Sequence, residues 1–204
     1  DVDKATRPAL GIEIFHNFTL LHDDLMDQAD KRRNRPTVHK VWNANTAILS
    51  GDAMLIYAYQ LIAEAPSKNL SEVINLFSKT ALEICEGQQL DMEFETREDV
   101  SVDEYIEMIR LKTAVLLACS LKLGAIIGRA SDKAASLLYD FGIQIGLAFQ
   151  LQDDLLDVYG NPETFGKNIG GDILCNKKTF LLTNAYRLAN ETQLAELNRW
   201  LNNK

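Results

Sequence analysis

Residues 23–27 read Asp-Asp-Leu-Met-Asp, and residues 153–157 read Asp-Asp-Leu-Leu-Asp. Residues four apart share a helix face, so Asp23 and Asp27 project together with Asp24 beside them. Asp153, Asp157 and Asp154 repeat the arrangement. Three carboxylates in one turn repel one another unless a cation sits between them. Hard divalent cations take oxygen ligands, and Mg²⁺ characteristically bridges one or two carboxylates to substrate phosphates. With 16 Asp in 204 residues, one such motif arises by chance about 0.1 times per chain, so two are a specific signal.

The first motif is followed by Lys31, Arg32, Arg33 and Arg35, then Pro36-Thr37 and His39. Cations this far beyond a carboxylate pair are not expected all to neutralise it, and the Arg fork suits bidentate phosphate recognition. A Lys-Arg-Arg run alone is most often a solvated turn. Beside an acidic motif, phosphate binding is the stronger reading. Carboxylates, room for metal and a basic cluster together match a diphosphate.

Each motif closes an apolar helical stretch, 14–21 and 143–151. Apolar spacing near 3.6 predicts helices at about 5–29, 39–64, 69–96, 102–129, 132–159, 177–189 and 191–202. Ser101-x-x-Glu104 before Tyr105, Ile106 and Met108 is a capping box. Pro36 and Pro66 punctuate connections, and no segment alternates as a strand should. Residues 160–176, with Pro162, Gly166, Gly170 and Gly171, form the longest non-helical stretch, placed where a lid or phosphate-binding loop would be useful. The acidic pattern recurs after 130 residues, which suggests two facing helices rather than a short repeat. The expected fold is all-α: an antiparallel helical bundle with its site in the central cavity, forming a single domain over 1–204.

The bulk numbers are consistent with this. A hydrophobic content of 47% supports a sizeable core, and the two motifs supply six of the negatives behind a net charge of −8. The acidity is therefore local to a site, and no nucleic-acid surface is indicated. Cys85, Cys119 and Cys175 are odd in number and lack metal spacing, as expected of free thiols in a reducing cytoplasm. No run of 18 uninterrupted apolar residues and no secretory signature occurs. The expectation is a cytoplasmic protein without a transmembrane segment.

Residues 12–27 (Ile12-Glu13-Ile14-Phe15-His16 through Asp27), then Arg32-Arg33-x-x-Pro36-Thr37, resemble the first aspartate-rich region of the trans-isoprenyl diphosphate synthases. Gly146-x-Ala148-Phe149-Gln150-x-x-Asp153-Asp154-x-x-Asp157 is similar to their second region. Gly51-Asp52-Ala53, Gly87-Gln88 followed by Asp91, Lys112-Thr113, Phe165-Gly166-Lys167 through Gly171-Asp172, and Lys177-x-Thr179 follow in the family's order. Each piece is weak alone; the ordered set is specific and covers nearly the whole chain.

The resemblance implies head-to-tail condensation. An allylic diphosphate (dimethylallyl, geranyl or farnesyl) loses pyrophosphate, and the double bond of isopentenyl diphosphate attacks the cation. It implies three Mg²⁺ per site, with Mn²⁺ as a substitute. Asp23 and Asp27 would hold two and Asp153 the third, with Asp24, Asp154 and Asp157 as outer ligands or water anchors. Arg32, Lys112, Lys167 and Lys177 would grip the allylic diphosphate and Arg33 the isopentenyl one, with Gln88 near the allylic site. Thr113 and Gln150 would line the reacting carbons, and the departing pyrophosphate would take the proton. His16 lies seven residues before Asp23, on the same stripe, and the resemblance gives it contact with isopentenyl diphosphate. A lone His on an apolar face is otherwise a core residue. His22 is expected to pack or to lie at the surface, His39 to cap or brace, and Asp91 belongs to an acidic stretch that could simply be solvated.

Thr19 and Phe15 precede Asp23 by one and two turns, with Phe18 beside them; Thr19 leaves some room, and Phe18 and Phe15 are expected to floor the prenyl cavity, giving products of fifteen or twenty carbons. Homodimers are usual in the family. Asn34 stands where the family has Gly, a position Asn tolerates. The upstream Gly-Lys-x-x-Arg region is absent and the C-terminal helices look short, so the expectation is a domain lacking its N-terminal helices and C-terminal end. The rivals are a terpene cyclase or head-to-head synthase of the same fold, and a non-catalytic prenyl-chain-binding subunit. The first would not be expected to repeat the acidic motif with the Arg pair and Lys177, and the second should have lost motif carboxylates.

Overall fold

The structure, a computed structural model, describes residues 2–161 and 170–201. The fold class is all-α. The described helices are α1 (Val2–Met26), α2 (Val38–Val41), α3 (Ala44–Ile62), α4 (Leu70–Thr96), α5 (Val102–Ile109), α6 (Val115–Ile127), α7 (Asp132–Tyr159), α8 (Gly171–Leu174), α9 (Phe180–Leu188) and α10 (Glu191–Leu201).

Five local features differ from the sequence expectation. The helix expected over 39–64 is two, because the Asn43 side chain accepts the Thr46 N–H at 2.9 Å and starts α3 afresh. The helix expected over 102–129 is interrupted at Arg110–Ala114 by a π turn, in which the Val115 N–H reaches back to the Arg110 carbonyl. The helix expected from 177 begins at Phe180, where Thr179 caps it by accepting the Leu182 N–H at 3.3 Å. A hairpin, unforeseen in the sequence, pairs β1 (Lys31–Arg32) with β2 (Arg35–Pro36). Within 160–176, α8 is helical, and residues 162–169 lie outside the described part.

The chain divides into two compact units. Unit 1 comprises Asp1–Leu82 and Leu116–Ile143; unit 2 comprises Glu83–Val115 and Gln144–Lys204. Unit 1 is built on α1 lying along α3. Phe15 of α1 is 1% exposed and sits edge-on to Phe77 of α4 at 5.0 Å between ring centroids. Phe18 adjoins Phe15 at 5.4 Å, and Tyr59 of α3 meets Phe77 at 4.9 Å. Burying one such ring stabilises by about 1.5–3 kcal/mol, and each aromatic pair adds about 0.5–1.5 kcal/mol. The cluster fixes the helix that ends in the first acidic motif.

Unit 2 is centred on Phe94, Val100, Tyr105, Met108 and Ile109, with Leu147, Leu151 and Phe180 packed against them. The predicted capping box is present. The Ser101 side chain accepts the Glu104 N–H, and Glu104 accepts the Ser101 N–H at 2.9 Å. The π turn is held closely on two sides. A Cβ added at Gly87 of α4 would collide with the Lys112 backbone, and one at Gly146 of α7 with Ala114. Only glycine allows both approaches. α7 is long and apolar enough to span a membrane by length and composition, and Phe141, Ile145 and Phe149 on it are exposed.

Candidate functional site

In unit 1 the first motif forms the last turn of α1 and the residue after it. The chain leaves the helix through Gln28 (φ 53°) and reverses at Arg33 and Asn34 (φ 50° and 61°). Left-handed φ at both central residues is the requirement of a two-residue hairpin turn, which Asn34 meets easily and Arg33 at a cost of about 1–2 kcal/mol. The hairpin carries Arg32 back to the motif. Its Nε donates to Asp24 Oδ1 at 2.8 Å and its Nη2 to Asp23 Oδ2 at 3.3 Å. Arg32 is thus one cation of the run that does pair with the motif, while Arg33 stands exposed at the hairpin tip. Burial pushes the Asp24 carboxyl above its ordinary range, and Arg32 pulls against that shift. Asp24 is buried, whereas Asp23, Asp27 and His16 are half-buried and Arg33 is exposed at the hairpin tip. Thr37 anchors the segment by donating its hydroxyl to the Ala29 carbonyl at 2.6 Å.

Two histidines behave differently here. His22 packs. Its ring lies 4.8 Å from that of Phe18 and its Nε2 is 3.2 Å from the Ile48 carbonyl oxygen. Gly51 is where it is because a Cβ there would run into that ring. His39, expected to cap or brace, has both ring nitrogens buried without a hydrogen-bond partner.

In unit 2 the residues singled out in the sequence fall into two main hydrogen-bonded groups, which meet at the neighbouring residues Lys112 and Thr113. Lys112 and Lys177 both donate to Asp91 Oδ2 at 2.8 Å, and Lys177 also pairs with Glu95 at 2.9 Å. Burial alone would raise the Asp91 carboxyl; the two ammonium groups outweigh it and hold the carboxyl below its ordinary value. Gly87, Asp91 and Glu95 share one face of α4, four residues apart. Asn176 (φ 58°) turns the chain that delivers Lys177, and its Nδ2 donates to the Glu95 carbonyl at 2.9 Å. Gln88 has a buried Nε2 without a partner.

Beside Lys112 on the π turn, the Thr113 hydroxyl donates to Gln150 Oε1 at 3.0 Å, and Gln150 Nε2 donates to Asp154 Oδ1 at 3.2 Å. Asp154 Oδ2 accepts the Tyr105 hydroxyl and, at 3.1 Å, the Phe180 N–H. Asp157 Oδ2 accepts the Asp172 N–H at 3.1 Å, and its carbonyl accepts the Gly170 N–H at 2.7 Å. Asp154 and Asp157 are thus buried and spent on protein donors, while Asp153 is half-buried. Burial raises the Asp154 carboxyl, and its donors, Tyr105 foremost, oppose that. Lys167 lies outside the described residues.

Tyr105 is the residue whose place in the site the sequence does not announce, since it shows there only as an apolar residue behind a helix cap. For Asp91 the sequence leaves two readings, a matching motif after Gly87-Gln88 and a solvated acid, and its burial between two lysines decides against the second. Among the described residues no three His, Cys, Asp or Glu side chains are arranged to hold a metal by themselves.

Comparison with known proteins gives four matches. The Polyprenyl synthetase family matches residues 1–204. A geranylgeranyl diphosphate synthase of Methanosarcina mazei is 43% identical over 87% of this chain and 56% of its own length. A geranylfarnesyl diphosphate synthase of Natronomonas pharaonis is 42% identical over 87% of this chain and 52% of its own. A solved geranylgeranyl pyrophosphate synthase matches with TM-score 0.92 at 54% identity, over 98% of this chain and 61% of that one. The chain thus spans little more than half the length of these relatives.

Proposed function

Because this chain belongs to the polyprenyl synthetase family, we propose that the enzyme carrying it condenses an allylic diphosphate head-to-tail with isopentenyl diphosphate. The products are a short-chain all-trans prenyl diphosphate and pyrophosphate. The carrying observation is the unit 2 arrangement, in which two lysines converge on Asp91 next to the linked Thr113–Gln150 pair. Cations for a diphosphate and oriented dipoles for a carbocation are what ionisation of an allylic ester requires.

Metal contact falls to the accessible carboxylates Asp23, Asp27 and Asp153, with three Mg²⁺ per site. Asp24, Asp154 and Asp157 act as the anchors that hold those turns. Bound Mg²⁺ supplies Lewis-acid stabilisation of the departing pyrophosphate and a template for it. Arg32, Lys112, Lys167 and Lys177 hold the allylic diphosphate, while Arg33 and His16 hold the isopentenyl one. Gln88, with its unpartnered buried donor, faces the allylic substrate. Thr113 and Gln150 turn their oxygens to the reacting carbons, and the released pyrophosphate accepts the proton. The whole of 1–204 serves as one isoprenoid synthase domain in a cytoplasmic homodimer. The exposed apolar side chains of α7 support self-association, since contiguous apolar surface is usually covered.

Relatives with different product names are equally similar to this chain, so overall identity does not set product length. Phe18 beneath Asp23 supports products of fifteen or twenty carbons. The test incubates the full-length enzyme with Mg²⁺, isopentenyl diphosphate and dimethylallyl, geranyl or farnesyl diphosphate, and sizes the products. Elongation by five-carbon units with pyrophosphate release is expected. Primer consumption that ignores isopentenyl diphosphate indicates a cyclase and overturns the reading.

A further inference from the structure

Tyr105 is 2% exposed, in the middle of an otherwise apolar core. Packing alone asks for Phe there, since a buried hydroxyl beside a buried carboxylate stabilises little unless the geometry has another use. Its hydroxyl bonds Asp154 Oδ2, the oxygen that also accepts the Phe180 N–H. This leaves Oδ1 for Gln150. A carboxylate only accepts hydrogen bonds, so the Gln150 amide must present its NH₂ end to Asp154, at 3.2 Å. Its Oε1 then faces Thr113, whose hydroxyl must donate to it, at 3.0 Å. The direction of each bond in Tyr105–Asp154–Gln150–Thr113 follows from the carboxylate. The consequence appears at the far end. Thr113 has given up its proton inward, and this half-buried residue offers only oxygen lone pairs outward.

We propose that Tyr105 is a positioning residue, which through Asp154 and Gln150 fixes the Thr113 hydroxyl so that its lone pairs face the developing allylic cation. Tyr105 touches no substrate itself. If it is lost, Asp154 keeps the Phe180 N–H and the Gln150 amide but loses the hydroxyl that clamps it from the core. The carboxylate then swings, the Gln150 amide that follows it is no longer held in one place, and the Thr113 lone pairs lose their fixed aim at the cation. The proposal rests on the prenyl-transfer reading above.

The test uses the full-length enzyme and its Tyr105→Phe variant, which keeps the ring in the core. Two probes are compared by calorimetry in the presence of Mg²⁺ and pyrophosphate. One is an allylic chain whose reacting carbon is replaced by a protonated amine; the other is its neutral carbon isostere. In wild type the cationic probe binds more tightly. In Tyr105→Phe that preference falls roughly 10- to 100-fold, the effect of losing one hydrogen bond to a charged group. Binding of the neutral probe holds, kcat falls in parallel, and KM for isopentenyl diphosphate changes little. Gln150→Leu, which cannot donate to Asp154 or accept from Thr113 and adds no charge, should lose the same preference. If both probes weaken equally in Tyr105→Phe, the residue is merely structural and the proposal fails. It also fails if the variant binds both as wild type does. Should wild type itself show no preference for the cation, the prenyl-transfer reading falls, and this inference with it.

Discussion

The two acidic motifs have the same five-residue pattern but are held by opposite means. In both, the second Asp is buried and the first is left partly open. Asp24 is secured by a cation, Arg32, brought round by a hairpin. Asp154 is secured by neutral donors, the Tyr105 hydroxyl, the Gln150 amide and the Phe180 N–H. Burial pushes both carboxyls in the same direction, upward. An Arg at the first motif offsets one of its three negative charges, and a guanidinium can pair with phosphate as well as with carboxylate. Neutral donors at the second leave the negative charge in place and use the carboxylate as a fixed reference for neighbouring dipoles. The pattern in sequence thus specifies a turn with one buried and one partly open carboxylate, and what surrounds it decides how the buried one is held.

The largest expected effect tests what the motifs share. Asp23→Ala and Asp153→Ala each remove leaving-group stabilisation and should lower kcat by at least about 10³-fold, with melting temperature nearly unchanged because neither residue is in the core. Steady-state kinetics with thermal melts checks this. Near-normal turnover in either variant would break the likeness between the two turns.

Next in size is the contrast behind the first motif, which has an aromatic floor. Phe15 is wedged against Phe77, so Phe15→Ala should cost roughly 3–5 kcal/mol of stability. Phe18 is only half-buried. Phe18→Ala should cost less and lengthen the product by one or more five-carbon units, as judged by product sizing. An unchanged product from Phe18→Ala would remove it from the floor. The sequence had given the two rings one role; burial separates them.

A smaller effect sharpens the comparison itself. Asp24→Asn and Asp154→Asn should each destabilise by about 1–3 kcal/mol, measured by denaturant midpoints. The first loss should shrink at molar salt, since the Arg32 pair is partly open and screened. The second should be indifferent to salt, because no cation is involved. Equal salt responses would mean that the two anchors do not differ in kind.

Much of this was legible because it is local. Helices α1, α4 and α7 follow from apolar spacing, the cap at Ser101 from two residues, and the tolerance of Asn34 from its left-handed turn. What escaped was tertiary or too short to show a period. The strands of the hairpin are two residues each, too few for alternation to register. The π turn follows from close helix approaches at Gly87 and Gly146, which no spacing within 102–129 announces. Asp91 stands in a run of acids that look alike in sequence, and only burial against two lysines distinguishes it. Tyr105 looked like any apolar residue after a cap, and its function lies in a contact across 49 positions.

The last prediction concerns that cap, which has no counterpart at the first motif. Glu104 is held down to about 2 from 4.5, first by the Ser101 N–H, then by the Ser101 hydroxyl and Arg97. A folded value below the unfolded one stabilises above about 4.5 and is lost as pH falls from there towards 2. Acid should therefore loosen the start of α5, the turn that presents Tyr105. Hydrogen-exchange protection of 102–109 should drop between pH 5 and 3 by more than that of 2–26. Glu104→Gln should show the lowered protection already at neutral pH, with a flatter pH dependence, at a cost comparable to losing a cap, about 1 kcal/mol. If wild type and Glu104→Gln lose protection in parallel, the acid response belongs to other carboxylates. The second motif's dependence on neutral, pH-indifferent donors would then extend to the helix that supplies one of them.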